Sequence, residues 1–225
     1  MSGSLAQATS QAESTHPADR ILDAILERRT PACVGLDPVV ERCPIAIGGG
    51  AGPMPVPQAV PIVERFCLDI MDRIADLVPC VKVQSACFER YGHAGVAAME
   101  RVIEAAGERD LVVIHDAKRG DIGISAEHYA HGMFRRVDGI APSWVTVNPV
   151  FGSDGIIPFL ERGGVFAIVR TSNPSSDLFQ SLPMENGETL AEAVAELIAG
   201  IGRSEDAFIG RYGYSRLGAV VAATT

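Results

Sequence analysis

Leu111-Val112-Val113-Ile114-His115 runs directly into Asp116-Ala117-Lys118-Arg119-Gly120-Asp121. The first five residues read as a buried strand, and the next six open it into a loop. Two acids bracket a lysine at that opening. Side chains alternate along a strand, so Asp116 and Lys118 share a face with Val112 and Ile114. His115 has the opposite parity and points toward whatever covers the sheet. A lysine set among carboxylates can deliver a proton to a carbanion. A plain ion pair near a sheet edge is the bland reading of the same residues. Asp121, three residues past Lys118, weighs against it.

The same strand-helix alternation continues on both sides of this stretch. Toward the N-terminus lie a helix from Pro17 to Arg29, a strand from Ala32 to Leu36 and a Gly/Pro-rich loop from Cys43 to about Pro57. A helix from Pro57 to Leu77, a strand from Cys80 to Gln84 and a helix from Cys87 to Ala106 follow. Toward the C-terminus the pattern predicts a helix over Ser125 to Arg136, with Ser125 and His128 as an approximate capping box. It then predicts strands at Trp144–Val147, Val165–Val169 and Gly218–Ala223. Between these fall helices at Gly155–Arg162 and Thr189–Ile201, a long polar loop from Thr171 to Glu188, and more helix near Ala207. Nearly continuous apolar strands alternating with helices predict a parallel sheet covered by helices. Asp37, Lys82, Asp116, Lys118 and Thr171 all fall at strand C-terminal ends or just beyond. Those ends form the working face of a (β/α)8 barrel, and of a doubly wound sheet as well. No G-x-G-x-x-G follows the first strand, which disfavours the nucleotide-cofactor version of the second fold. Lys82 sits between Val81 and Val83 and faces away from both; it either snorkels to solvent or, the favoured reading, points into the barrel mouth. The expected fold is therefore α/β with six β/α strands, either of (β/α)8 TIM-barrel type or doubly wound, the barrel being favoured. One domain is expected from residue 17 to 225, after a flexible tail over residues 1–16.

Composition narrows the function. The 225 residues are 47% hydrophobic and 21% charged, with 19 Lys and Arg against 28 Asp and Glu, a net charge of −9. That balance argues against nucleic acid or an anionic membrane surface as a partner. Cys33, Cys43, Cys67, Cys80 and Cys87 are odd in number and show no C-x-x-C spacing, so reduced thiols and a cytoplasmic location are expected. Met1 to Thr15 lacks an apolar core and a basic start, so it does not read as a signal peptide. No apolar run is long enough to cross a bilayer. His115, His128 and His131 could suggest a metal set, but strand parity turns His115 away from Asp116, and no metal site is assigned. Gly48-Gly49-Gly50 is not followed by Lys-Ser or Lys-Thr and reads as a loop.

The octapeptide Asp116-Ala117-Lys118-Arg119-Gly120-Asp121-Ile122-Gly123 closely resembles the signature of the orotidine 5′-phosphate decarboxylases, in the spelling of a bacterial branch. Four flanking segments resemble that family in the same order. They are Val34-Gly35-Leu36-Asp37-Pro38, Val81-Lys82-Val83-Gln84 with Phe88-Glu89, Arg170-Thr171-Ser172-Asn173-Pro174, and Gly218-Ala219-Val220-Val221. The resemblance implies a barrel working as a homodimer on a small nucleotide, without metal or organic cofactor. It implies Lys118 as proton donor to C6 of the pyrimidine and Asp116 against the substrate carboxylate. It implies Lys82 as part of an alternating Lys-Asp-Lys-Asp chain and Asp121 reaching into the neighbouring subunit. Asp37 would hold a ribose hydroxyl, Ser172 would face the pyrimidine edge and Asn173 would join it in binding substrate; shaping the loop before Pro174 is the bland reading of Ser172 and Asn173. Two departures stand out. The family's seventh and eighth strands, whose loops grip the 5′-phosphate with a glycine-rich segment and an arginine, have no counterpart. Val221-Ala222-Ala223-Thr224 lacks the family's usual glycine before Ala-Thr. An incomplete barrel is expected to fold poorly and turn over slowly. Two other readings carry the same D-x-K-x-x-D: an Mg²⁺-dependent sugar-phosphate decarboxylase or hexulose-phosphate synthase, and a non-catalytic remnant.

Overall fold

The computed structural model describes residues 16–50, 52, 54–135, 140 and 142–223. The tail expected at the N-terminus lies outside them except for His16, which precedes the first helix. In chain order the elements are α1 (Pro17–Arg28), β1 (Cys33–Leu36), α2 (Val56–Ile74), β2 (Cys80–Gln84), α3 (Ser85–Glu89), α4 (Gly92–Glu108) and β3 (Val112–Arg119). They continue with α5 (Gly123–Met133), β4 (Trp144–Val147), α6 (Ile157–Leu160), β5 (Gly164–Arg170), α7 (Asp177–Gln180), α8 (Leu190–Ile201) and β6 (Leu217–Val221). Short 3₁₀ turns cover Val40–Arg42, Ile45–Ile47, Pro149–Gly155 and Asp206–Phe208.

The strands form one sheet in the order β1-β2-β3-β4-β5-β6, every neighbouring pair parallel. The sheet curls as a half-barrel. Alternation along each strand builds two layers of core. Outward-facing Val81, Val83 and Val113 pack beneath α2 and α4 with Val63, Met71 and Val102. Outward-facing Val145, Val147, Val165, Ala167 and Val169 pack with Phe159 and Leu160 of the α6 segment and with Ile198 and Ile201 of α8. Each fully buried side chain of this size stabilises the fold by roughly 1.5–3 kcal/mol. The inward face carries a smaller cluster of Cys80, Val112, Ile114 and Trp144, closed off by Ala18 of α1. Those residues lie near the strand N-termini, so α1 stoppers the end opposite Asp116 and Lys118. Asp19 anchors that stopper by accepting the backbone N–H groups of Arg211 (3.1 Å) and Tyr212 (3.4 Å).

Four details differ from the sequence expectation. The third strand does not open into a loop at Asp116 but continues to Arg119. The helix expected from Cys87 to Ala106 is two helices, because Gly92 takes φ +63°, a left-handed conformation that breaks the hydrogen-bond ladder. The helix expected from Ser125 begins at Gly123, without a side-chain cap, and ends at Met133; Arg136 lies outside the described residues. A histidine three residues on does not supply the carboxylate or amide that a reciprocal cap needs. The long polar loop after β5 contains the short helix α7.

Candidate active site

Parallel strands of matched register bring their C-terminal residues to one rim. Lys82 pairs in register with Ile114 and Gln84 with Asp116 across β2 and β3. Val81 and Val83 commit their side chains to the outer core, and this turns Lys82 inward. Asp37 follows β1 directly. Gly35 leaves the room these groups use: a Cβ there would stand 2.5 Å from Asp37 Oδ2 and 4.0 Å from Lys82 Cε.

Asp116 is the centre of the cluster and is only 4% exposed. Its Oδ2 accepts from Lys82 Nζ (2.8 Å) and Gln84 Nε2 (3.0 Å). Its Oδ1 accepts from Lys118 Nζ (2.7 Å) and from the Thr146 hydroxyl (2.7 Å). Lys82 also reaches Asp37 Oδ1 at 3.4 Å. Burial alone would raise the Asp116 carboxyl, but the hydrogen bonds from Lys118, Lys82 and Thr146 outweigh it and bring it down to about 2. Burial alone would lower the Lys82 ammonium, yet the Asp116 carboxylate, followed by Asp37, holds it above its ordinary value. The result is one anion fixed between two cations, with the Lys118 side chain 48% exposed toward the open side.

The backbone that presents this pair is irregular. Ile114 pairs with Trp144 and His115 with Val145, and the register resumes only at Arg119 with Val147. Asp116, Ala117 and Lys118 thus stand opposite Thr146 alone, a bulge of the kind common next to active sites. Lys118 has φ +47°. A non-glycine residue in that region costs of order 1–3 kcal/mol and persists only where its surroundings enforce it.

A cavity of about 570 Å³ opens beside Lys118. Asn148, Ile168, Thr171, Gln180 and Val194 help to line it. Its size suits a small-molecule ligand, and its walls combine apolar surface with a few polar groups. Gln180 of α7 fixes the rim after β5. It accepts the Thr171 backbone N–H (2.9 Å) and donates to the Thr171 hydroxyl (2.9 Å).

Of the residues expected from sequence, Asp37, Lys82, Asp116 and Lys118 come together. Asp121, Ser172 and Asn173 stand outside this cluster. Asp121 accepts the N–H of Ile122 (2.9 Å) and makes no ion pair among the described residues. Ser172 and Asn173 are exposed after β5, and the Thr171 hydroxyl donates to Asn173 Oδ1 (2.6 Å). His115 turns outward as its parity predicts, buried with Ser85 Oγ 2.6 Å from its Nε2. Gln84, Thr146, Asn148 and Gln180 were not singled out from sequence. Strand parity could have found Gln84, which shares a face with Lys82. The contributions of Thr146 and Gln180 depend on packing between segments distant in sequence.

Residues 30–211 match the profile of the Orotidine 5'-phosphate decarboxylase / HUMPS family. The chain belongs to this family. It is 36% identical over 216 residues to the orotidine 5′-phosphate decarboxylase of Rhodopirellula baltica, covering 92% of this chain and 70% of that protein. With the orotidine 5′-phosphate decarboxylase of a Roseiflexus species it shares 40% identity over 171 residues, covering 75% of this chain and 58% of the other. A candidate orotidine 5′-phosphate decarboxylase from Streptomyces avermitilis, solved by crystallography, superposes with a TM-score of 0.76 at 30% identity, covering 94% of this chain and 71% of that one. The half-barrel seen here shares its fold with that solved structure over the region the two have in common.

Proposed function

We propose that this family member decarboxylates orotidine 5′-phosphate to uridine 5′-phosphate in pyrimidine biosynthesis, with Lys118 as the proton donor. The carrying observation is the Asp116 carboxylate held by Lys82 and Lys118 at 2.8 and 2.7 Å beside a ligand-sized cavity. In the proposed step the bond from C6 to the carboxylate carbon breaks and CO₂ leaves. The electron pair stays at C6 and takes a proton from Lys118 Nζ. A fixed ammonium beside that carbon stabilises the charge as it develops, without reorganisation at the moment of reaction. Asp116 sets the position of both ammonium groups and repels the substrate carboxylate before it departs.

Asp37 is assigned to a ribose hydroxyl, Ser172 to the pyrimidine edge with Asn173 beside it in binding substrate, and Asp121 to the site of a second copy in a cytoplasmic homodimer. Asp37, Ser172 and Asn173 are exposed and Asp121 is half-buried, which leaves them available for those contacts. The Mg²⁺-dependent reading is disfavoured by charge, because an ammonium group occupies each of the two Asp116 oxygens that a cation would need. No helix among the described residues is long and apolar enough to cross a membrane.

Lys118→Ala tests the assignment. Decarboxylation should fall at least about a thousandfold, equivalent to about 4 kcal/mol of barrier, while the thermal melt stays cooperative. Full activity in that variant would remove Lys118 from the chemistry. Activity of the parent should survive a chelator, and its abolition by one would restore the metal-dependent alternative.

A further inference from the structure

We propose that Thr146 is the positioning residue that holds the lysine-bearing bulge of β3 in its working shape. The inference deepens the reading of Lys118 as proton donor and rests on it. Thr146 is 3% exposed and lies on β4 directly across from the bulge. Its hydroxyl oxygen accepts the backbone N–H of Lys118 at 2.9 Å and donates its own proton to Asp116 Oδ1 at 2.7 Å. One hydroxyl therefore ties down both the strained peptide and the carboxylate that receives the lysine ammonium.

The geometry explains why a side chain is needed there. In a regular parallel pair the backbone of β4 would satisfy the amides of β3. Here three residues face one, and the pairing resumes only at Arg119, whose carbonyl accepts the Asn148 N–H at 2.7 Å. The Lys118 amide falls inside the gap, and the Thr146 hydroxyl supplies its acceptor. Relaxing Lys118 from φ +47° to the usual negative range would rotate its Cα–Cβ bond and carry Nζ away from Asp116. Valine has the shape of threonine but neither donates nor accepts, so it removes the tie without opening a cavity.

Three proteins decide the matter: the parent, Thr146→Val and Thr146→Ser. In Thr146→Val, kcat should fall by about 100-fold, the scale of a displacement of about 1 Å at a reacting group, with KM little changed. Thr146→Ser should recover most of that loss because it keeps the hydroxyl. In NMR, the Lys118 amide of the parent should exchange slowly, and a strong intraresidue HN–Hα NOE should report its positive φ. Both signatures should vanish in the valine variant and return in the serine variant. A valine variant with parental kcat and a left-handed Lys118 would overturn the proposal. So would a parent whose Lys118 amide exchanges unprotected, a result available even if the valine variant does not fold. A parent that positions Lys118 in this way yet shows no decarboxylation would defeat the functional reading and leave the positioning role standing.

Discussion

Asp116 shows how four donors can hold a buried carboxylate ionised. Its acid form is favoured only below about 2, so its contribution of about 2 kcal/mol is present above the ordinary carboxylate value of 3.8 and fades as pH falls through 2. His115 acts over a different window. Burial, aided by the Arg119 charge, lowers its imidazole to about 4 from an ordinary 6.5. The unfolded chain therefore binds a proton at a pH where the folded chain refuses it. Stability is full above pH 6.5 and declines as pH drops toward 4, by about 3 kcal/mol for this residue. His16, also lowered by burial, adds to the decline with the same sign. Urea midpoints should fall between pH 7 and pH 4.5, and His115→Gln should flatten that slope. The His115 ring resonances should titrate near pH 4, and a midpoint at 6.5 would contradict the buried placement. The facing of Lys82, Asp116 and His115 was legible in the sequence because strand parity alone sets it.

At the scale of elements, the informative cases are a strand and two helices. β3 runs farther than its sequence suggests, since Asp-Ala-Lys-Arg-Gly-Asp has the composition of a loop. Pairing with β4 around the Thr146 side chain keeps it in the sheet. The break between α3 and α4 hinges on Gly92, and the apolar spacing across it disguises two helices as one. α8 has a reciprocal cap formed by Thr189 and Glu192. The Thr189 hydroxyl accepts the Glu192 N–H (3.3 Å), and Glu192 Oε2 accepts the Thr189 N–H (2.7 Å). Thr189→Ala should cost about 1 kcal/mol in denaturant unfolding. No change would mean that α8 is held by its packing on β5 and β6 alone.

For the whole molecule, the outer core divides into one cluster beneath α2 and α4 and another beneath α5, α6 and α8, joined through the β3–β4 pairing. Phe159 lies fully buried in the second cluster. Phe159→Ala should destabilise the protein by about 3–5 kcal/mol, and a smaller loss would show that the cluster collapses around the gap. The edge strands β1 and β6 do not pair with each other among the described residues, and Val221 on β6 is 62% exposed. If Asp121 serves a neighbouring site, mixing Lys118→Ala with Asp121→Ala protein should restore activity that neither has alone, since one site of the mixed dimer is then intact. No recovery in a confirmed mixed dimer would place Asp121 in its own site. The order of apolar strands and helices by itself determined a parallel α/β sheet with Asp37, Lys82, Asp116 and Lys118 at the strand C-terminal rim, because side-chain alternation and helical periodicity are local properties. Only the tertiary structure decided that Asp116 is held from both sides, that Thr146 fills the gap in the ladder, and that Gln180 fixes the rim. Those contacts join segments far apart in the chain, and no local pattern specifies them.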